Sequence, residues 1–244
     1  MSGEIRIGTS GWHYRHWENR FYPAGLRPAG YLDEYVRHFD TVEVNNSFYR
    51  MPSRKTLQDW AERAPGDFLF AVKGSRYITH VKKLRDPLDP VGFLMETLEA
   101  LGKKLGPVLF QFPPAWKCNA KRLEAFLQVL PSGQEFAFEF RNPDWFRPEI
   151  DELLAQKSCG FCVFEIGGMR SPRKVTADFV YIRLHGPGKA YQGSYTRDAL
   201  RNWAEAIRGW SDEGIKVYCY FDNDQDAYAT RNARTLREMI QKGK

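Results

Sequence analysis

Eight short runs rich in aromatic and β-branched residues recur along this chain, and segments of helical period separate most of them. The runs are Ile5–Thr9, Thr41–Val44, Phe68–Val72, Val108–Phe112, Phe136–Phe140, Phe161–Phe164, Phe179–Leu184 and Lys216–Phe221. Their length and content fit strands. Between them, Leu32, Tyr35, Val36 and Phe39 fall on one helical face. So do Leu57, Trp60, Ala61 and Ala64, then Leu123, Phe126, Leu127 and Leu130, and again Leu200, Trp203, Ala204 and Ile207. Such spacing lays one apolar stripe along a helix. Ser53, Asn119 and Thr196 stand where helices should start, and Asp89-Pro90 reads as a cap followed by a first-turn proline. A last helix is expected from about Asp226 to Gln241, with Ala229, Ala233, Leu236 and Ile240 inward. Strands alternating with helices imply parallel pairing through helical crossovers, and eight of them imply a closed (β/α)8 TIM-like barrel, here one domain over residues 1–244. No sixth helix is visible: residues 166–178 read as loop, so that helix is expected to be irregular or missing. The alternative is an open doubly wound sheet, but Gly8-Thr9-Ser10-Gly11-Trp12 after the first run is not the Gly-x-Gly-x-x-Gly of a dinucleotide site.

The chain has 244 residues, 43% hydrophobic and 27% charged, which excludes global disorder. No stretch reaches the ~20 apolar residues of a membrane helix. The first residues lack the basic-then-apolar layout of a secretory leader, so a cytoplasmic protein with no membrane partner is expected. The net charge of +6 permits an anionic partner without demanding one. Cys159 and Cys162 form a Cys-x-x-Cys, but no second Cys/His pair has zinc spacing and Cys162 sits in an apolar run, so a core role is favoured.

Parity within the strands selects the candidate site. Side chains alternate across a strand, and in a barrel the outward set must be apolar because helices cover it. With Val42 and Val44 outward, Glu43 and Asn45 point in. By the same rule Lys73, Gln111, Glu139, Arg141, Arg183, His185 and Asp222 are inward, mostly at the carboxyl ends of their strands, where the active sites of this fold lie. Arg6 is inward too, near an amino end, and reads as a structural ion pair. The loops add Trp12, Tyr14, Tyr49, Arg50 and Trp145. Aromatic faces beside Arg and carboxylates suit a planar ring or a sugar, although any one of these aromatics is more simply read as a plug of core. The turn His185-Gly186-Pro187-Gly188-Lys189 suits a phosphate, or is merely a turn. Metal binding is disfavoured, because no HExxH or clustered His/Asp set occurs, though Glu43, Glu139, Glu165 and Asp222 leave a Mg²⁺ open. No cofactor is implied.

These residues also carry a family resemblance. Gly8-Thr9-Ser10-Gly11-Trp12 with Tyr14, Val42-Glu43 with Asn45, Ser47-Phe48-Tyr49-Arg50, Ile78-Thr79-His80, Gln111-Phe112-Pro113-Pro114, Phe138-Glu139-Phe140-Arg141 with Trp145, Arg183 with His185-Gly186, and Tyr220-Phe221-Asp222-Asn223-Asp224 occur in order. In these the chain resembles the YecE-like barrels, the family of domain of unknown function seventy-two. The resemblance implies a TIM-like barrel and no particular activity. It adds His80 and Asn223 to the candidates. Glu165 stands where the family more often has aspartate, and it receives no catalytic role.

Three functional readings follow. The first is a metal-independent hydrolase, lyase or isomerase for a small anionic, ring-bearing molecule such as a sugar phosphate or nucleotide-like compound. Glu43 and Glu139 would be its acid/base pair, His185 a proton shuttle and Lys73 an electrostatic partner. Trp12, Tyr14, Asn45, Tyr49, Arg50, Gln111, Arg141, Trp145, Arg183 and Asn223 would bind substrate. The second is a nucleic-acid-binding or processing protein with an aromatic and basic rim. The third is a non-catalytic barrel whose charges neutralise one another. Oligomeric state is not legible.

Overall fold

The computed structural model describes residues 2–242. The strands are β1 (Ile5–Thr9), β2 (Thr41–Val44), β3 (Leu69–Lys73), β4 (Leu105–Phe112), β5 (Phe136–Phe140), β6 (Gly160–Ile166), β7 (Met169–Arg170), β8 (Phe179–Leu184) and β9 (Lys216–Phe221). The helices are α1 (Tyr31–Tyr35), α2 (Arg54–Arg63), α3 (Leu88–Leu98), α4 (Ala120–Gln128), α5 (Pro148–Gln156), α6 (Arg197–Asp212) and α7 (Tyr228–Lys242). The sheet runs β1-β9-β8-β6-β5-β4-β3-β2, with β7 paired only to β6. Ser10, just past β1, and Glu43 of β2 form a further parallel bridge between the strands that end this path. This order and connectivity are those of a (β/α)8 barrel. The doubly wound alternative is set aside, since its sheet keeps two open edges.

Contacts divide the chain into two compact units. The first comprises Met1–Glu43, Val163–Ser171 and Asp178–Lys244, the second Val44–Cys162 and Pro172–Ala177. In the first unit, β1, β9 and β8 pair in parallel without a register break. Helix α6 buries Leu200, Trp203, Ala204 and Ile207, and α7 buries Ala229, Ala233, Leu236 and Ile240, the stripes read from their spacing. In the second unit, β4 and β5 pair in parallel with Gln111 opposite Glu139. The Phe126 ring of α4 meets Phe110 edge-on at 5.0 Å and Phe138 at 6.1 Å. That contact puts the phenylalanines of both strands under a helix and leaves Gln111 and Glu139 on the other face.

The caps explain why the helices begin where they do. Ser53, Asn119 and Thr196 each accept a hydrogen bond from the backbone N–H three residues on, satisfying a donor that the first turn leaves open. The expected cap at Asp89 is corrected. Helix α3 begins at Leu88, after Pro87, so Asp89 lies in the first turn, where its charge faces the positive end of the helix. Strand β3 lies one residue later than expected, and β4 and β6 extend beyond their apolar runs.

The missing sixth helix has a local cause. Gly167 and Gly168 hold φ of 54° and 82°, the pair of positive values a type I′ hairpin turn requires. The chain therefore folds back on β6 as β7, pairing Glu165 with Arg170 and Ile166 with Met169. Arg6 is held by Glu4 and by the Asp40 carbonyl, the ion pairing expected of it. All four cysteines are free; Cys159 is buried, and that burial pushes its thiol up to about 12, far from a reactive thiolate. Among the described residues no helix is long and apolar enough to cross a membrane.

Replacing Thr196 by Ala removes the α6 cap and should lower stability by about 1 kcal/mol, read as a lower urea midpoint with an unchanged slope.

Candidate functional site

The site residues are described unit by unit. In the first, Arg183 is wholly buried, and partners converge on its guanidinium from β1, β2, β8 and β9. Its Nε donates to Glu43 Oε2 at 2.9 Å and its Nη2 to Glu43 Oε1 at 2.7 Å, a two-point grip on the carboxylate. Nη2 also reaches Asp222 Oδ2 at 2.9 Å and Ser10 Oγ at 3.3 Å. Glu43 accepts in addition from Ser10 Oγ and, at 2.7 Å, from the Tyr181 hydroxyl. Burial, with the Glu43 charge second, raises the Tyr181 phenol well above its ordinary value, so it stays a donor.

His185 completes this centre. Its Nε2 lies 3.1 Å from Arg183 Nη1 and its Nδ1 lies 3.0 Å from Asp222 Oδ2. A guanidinium only donates, so Nε2 presents its lone pair and the ring proton sits on Nδ1, facing the carboxylate. The expected proton shuttle is thus a ring held between two partners, and Arg183, expected to bind substrate, has no exposed surface. Tyr14 donates to the Ser10 carbonyl at 2.7 Å, and burial followed by Asp222 and Asp224 raises its phenol. Asn223 is fully buried; its amide nitrogen ties the Gly193 carbonyl at 2.8 Å to Asn232 at 2.9 Å, while its Oδ1 is buried without a hydrogen-bond partner among the described residues. Trp12 is buried, with its carbonyl accepting from Tyr22.

The second unit holds the other candidates. Lys73, at the end of β3, is 6% exposed, and its Nζ sits 4.2 Å over the Phe48 ring. His80 at 4.9 Å and Tyr49 at 5.0 Å both meet that ring edge-on. Ser47, beside Phe48, donates to the Lys73 carbonyl at 2.6 Å and so fixes this loop on β3. Gln111 and the fully buried Glu139 lie opposite one another on β4 and β5, and Arg141 Nε donates to Glu139 Oε1 at 2.5 Å. Burial lowers the His80 ring to about 4, and the next causes are the charges of Lys73, Arg76 and Arg141, opposed by Glu139. His80 is neutral at pH 7 inside a positive field. Asn45 has a buried Oδ1 with no hydrogen-bond partner among the described residues. Tyr49, 74% exposed, and the exposed Arg50 follow it.

Trp145, expected to face a ligand, is corrected. It is fully buried, stacked on Phe140 at 5.1 Å, edged by Trp116 and Phe112, and bonded through Nε1 to the Trp116 carbonyl at 2.7 Å. Its faces are occupied by the core. Ser10 and Tyr181 were missed as partners of Glu43. Tyr181 was within reach of the parity rule, because it precedes Arg183 and His185 by two and four positions on one strand. Among the described residues no group of three or more His, Cys, Asp or Glu side chains is arranged to hold a metal ion.

A family profile described as "Protein of unknown function DUF72" matches residues 6–244. The chain belongs to the DUF72 family. Among curated relatives, the Bacillus subtilis UPF0759 protein YunF is 25% identical over 97% of this chain and 94% of its own length. The Escherichia coli K12 protein YecE is 30% identical over 61% of this chain, an alignment covering 52% of that protein. A crystal structure of a DUF72 protein from Thermotoga maritima aligns with a TM-score of 0.89 at 28% identity, over 98% of this chain and 99% of that one. One from Enterococcus faecalis aligns at 0.83 and 20% identity, over 97% and 95%, a likeness of fold alone.

Two outcomes test these geometries. Glu43→Gln leaves the Arg183 charge buried without its main counter-charge, so roughly 3–5 kcal/mol of stability should be lost, read from urea unfolding. His80 takes a proton near pH 6.5 in the unfolded chain and near 4 in the folded one. Between those values the unfolded state binds more protons, so this ring makes stability fall as the pH drops from 6.5 to 4. His80→Asn should flatten that part of the pH–stability curve.

Proposed function

We propose that this DUF72 protein is an enzyme for a small anionic, ring-bearing molecule, and that the strand ends of its second unit hold the anion. Lys73 and Arg141 supply charge and Arg141 a planar fork for a phosphate or carboxylate. Gln111 and Asn45 offer amide groups to hydroxyls, and Tyr49 offers an exposed ring face. Glu139, held by Arg141, is the group that transfers the proton. Glu43, with its oxygens taken by Arg183, Ser10 and Tyr181, acts as a positioning residue in the first unit.

The observation that carries this reading is the arrangement around Phe48: Lys73 lies over its ring and the half-buried His80 edges it, with Arg76 and Arg141 adding positive charge at the imidazole. Like charges gathered at a partly buried place repel one another, and an anion relieves them. The neutral ring is then a hydrogen-bond partner that does not add to the repulsion.

Following the His80 ring by NMR through a pH titration tests the reading directly. Inorganic phosphate or glucose 6-phosphate should raise its midpoint from about 4 toward 6.5, since a bound anion offsets Lys73, Arg76 and Arg141. Phosphate that leaves the midpoint unmoved at tens of millimolar would overturn the anion site.

A further inference from the structure

The second unit also carries an apolar groove that the reading above does not use. It encloses a cavity of about 330 Å³ between Met51, Tyr77, Ile78, Pro90, Phe93 and Leu94. That volume is at the lower end of small-molecule sites. Ser75 supplies the hydroxyl of the wall, and its Oγ accepts from the Tyr77 backbone N–H at 3.2 Å. Among the described residues, Tyr77, Val81, Leu88 and Phe93 are large hydrophobics at 48–68% exposure, all within this one stretch of chain. Of these, Tyr77 and Phe93 line the cavity; single apolar residues are ordinary on a surface, whereas exposed ones gathered around a concave site mark a contact.

The backbone here is unusual in the same place. Tyr77–Val81 is a π-helical turn, closed by Lys82 N–H onto the Tyr77 carbonyl at 2.8 Å. Lys83, Leu84 and Asp86, just after it, all have φ between 43° and 62°, the left-handed region costly for residues with a Cβ. Single π turns and left-handed non-glycine residues gather at functional sites. The turn is also a divider. Tyr77 and Ile78 line the groove, while His80, two residues on, edges the Phe48 ring that carries Lys73. An apolar cavity and a cationic cluster therefore adjoin across one five-residue turn.

We infer that the groove takes the apolar part of the same small molecule whose anionic group Lys73 and Arg141 hold, so that the ligand is an amphiphile: a phosphate or carboxylate bearing an alkyl or aryl substituent. This rests on the anion reading above. The occupant is argued from continuity, because the shared turn Tyr77–Val81 presents an apolar wall to one side and a neutral imidazole in a positive field to the other. Arg76, Lys82, Lys83 and Arg85 on and around that turn outnumber Asp86, which pairs with Lys82 at 3.4 Å, and Asp89, and this positive excess favours a negative amphiphile.

Calorimetric titration of the full chain with inorganic phosphate and with ethyl, butyl, hexyl and octyl phosphate tests the inference. Affinity should rise with chain length, reaching at least tenfold over inorganic phosphate by hexyl phosphate. Phe93→Ala, at an exposed position, should reduce that gain several-fold and leave inorganic phosphate binding unchanged, whereas Lys73→Gln should weaken every member of the series. The chain-length series on the unaltered protein decides even if a variant folds poorly. Phosphate binding without dependence on chain length overturns the groove assignment and leaves the anion site standing. Binding of hexanol but of no phosphate overturns both. Binding of a dT10 oligonucleotide, or a concentration-dependent dimer in sedimentation, that Phe93→Ala abolishes assigns the groove to another occupant and overturns the inference.

Discussion

The first unit is organised around a positive charge that has no access to water. A guanidinium at zero exposure is tolerable only when its donors are matched, and Arg183 meets this through Glu43, Asp222, Ser10 and His185. These partners come from β2 and from the residues just after β1, β8 and β9, so satisfying one side chain requires the four strands to stand in one register. The same requirement fixes the ring proton of His185 and keeps the Tyr181 phenol a donor. The serine, the histidine and the two acids gathered here form the keystone of that unit. Its members are nearly or wholly withdrawn from solvent.

The second unit contrasts with it. Three cations, Lys73, Arg76 and Arg141, bear on His80 there, and one acid, Glu139, opposes them. A buried amide oxygen without a hydrogen bond lies beside these strand ends, at Asn45, as one does at Asn223 in the first unit. A surplus of one sign of charge at strand ends is what an anionic ligand offsets, which is why the functional reading rests there.

Much of the fold was legible because its causes are local. Alternating apolar and polar residues in short runs give strands and their parity, and Ser53, Asn119 and Thr196 announce helix starts through their own side-chain oxygens. The gap after β6 was visible as well, since Gly167-Gly168 in an otherwise apolar stretch is a turn. The site was legible in membership and not in role. Parity brought Glu43, Lys73, Glu139, Arg183 and His185 to notice, but whether a charged side chain is matched or exposed depends on neighbours from distant strands. For the same reason Trp145 looked like a ligand platform: nothing in Asn142-Pro143-Asp144-Trp145 reveals that Trp116, 29 residues earlier, offers its carbonyl to the indole N–H. The groove escaped notice because a π turn has no sequence period of its own.

The stretch 83–86 has a meaning of its own. Glycine would adopt those three left-handed conformations freely, yet the chain carries lysine, leucine and aspartate there, with Leu84 buried. Side chains that hold a backbone in an uncomfortable shape act as a clamp, tying the outline of the adjoining wall to the interior packing of Leu84. Enlarging or trimming that one leucine would therefore be felt at the surface, some residues away along the chain, as a change in the shape of what can be bound.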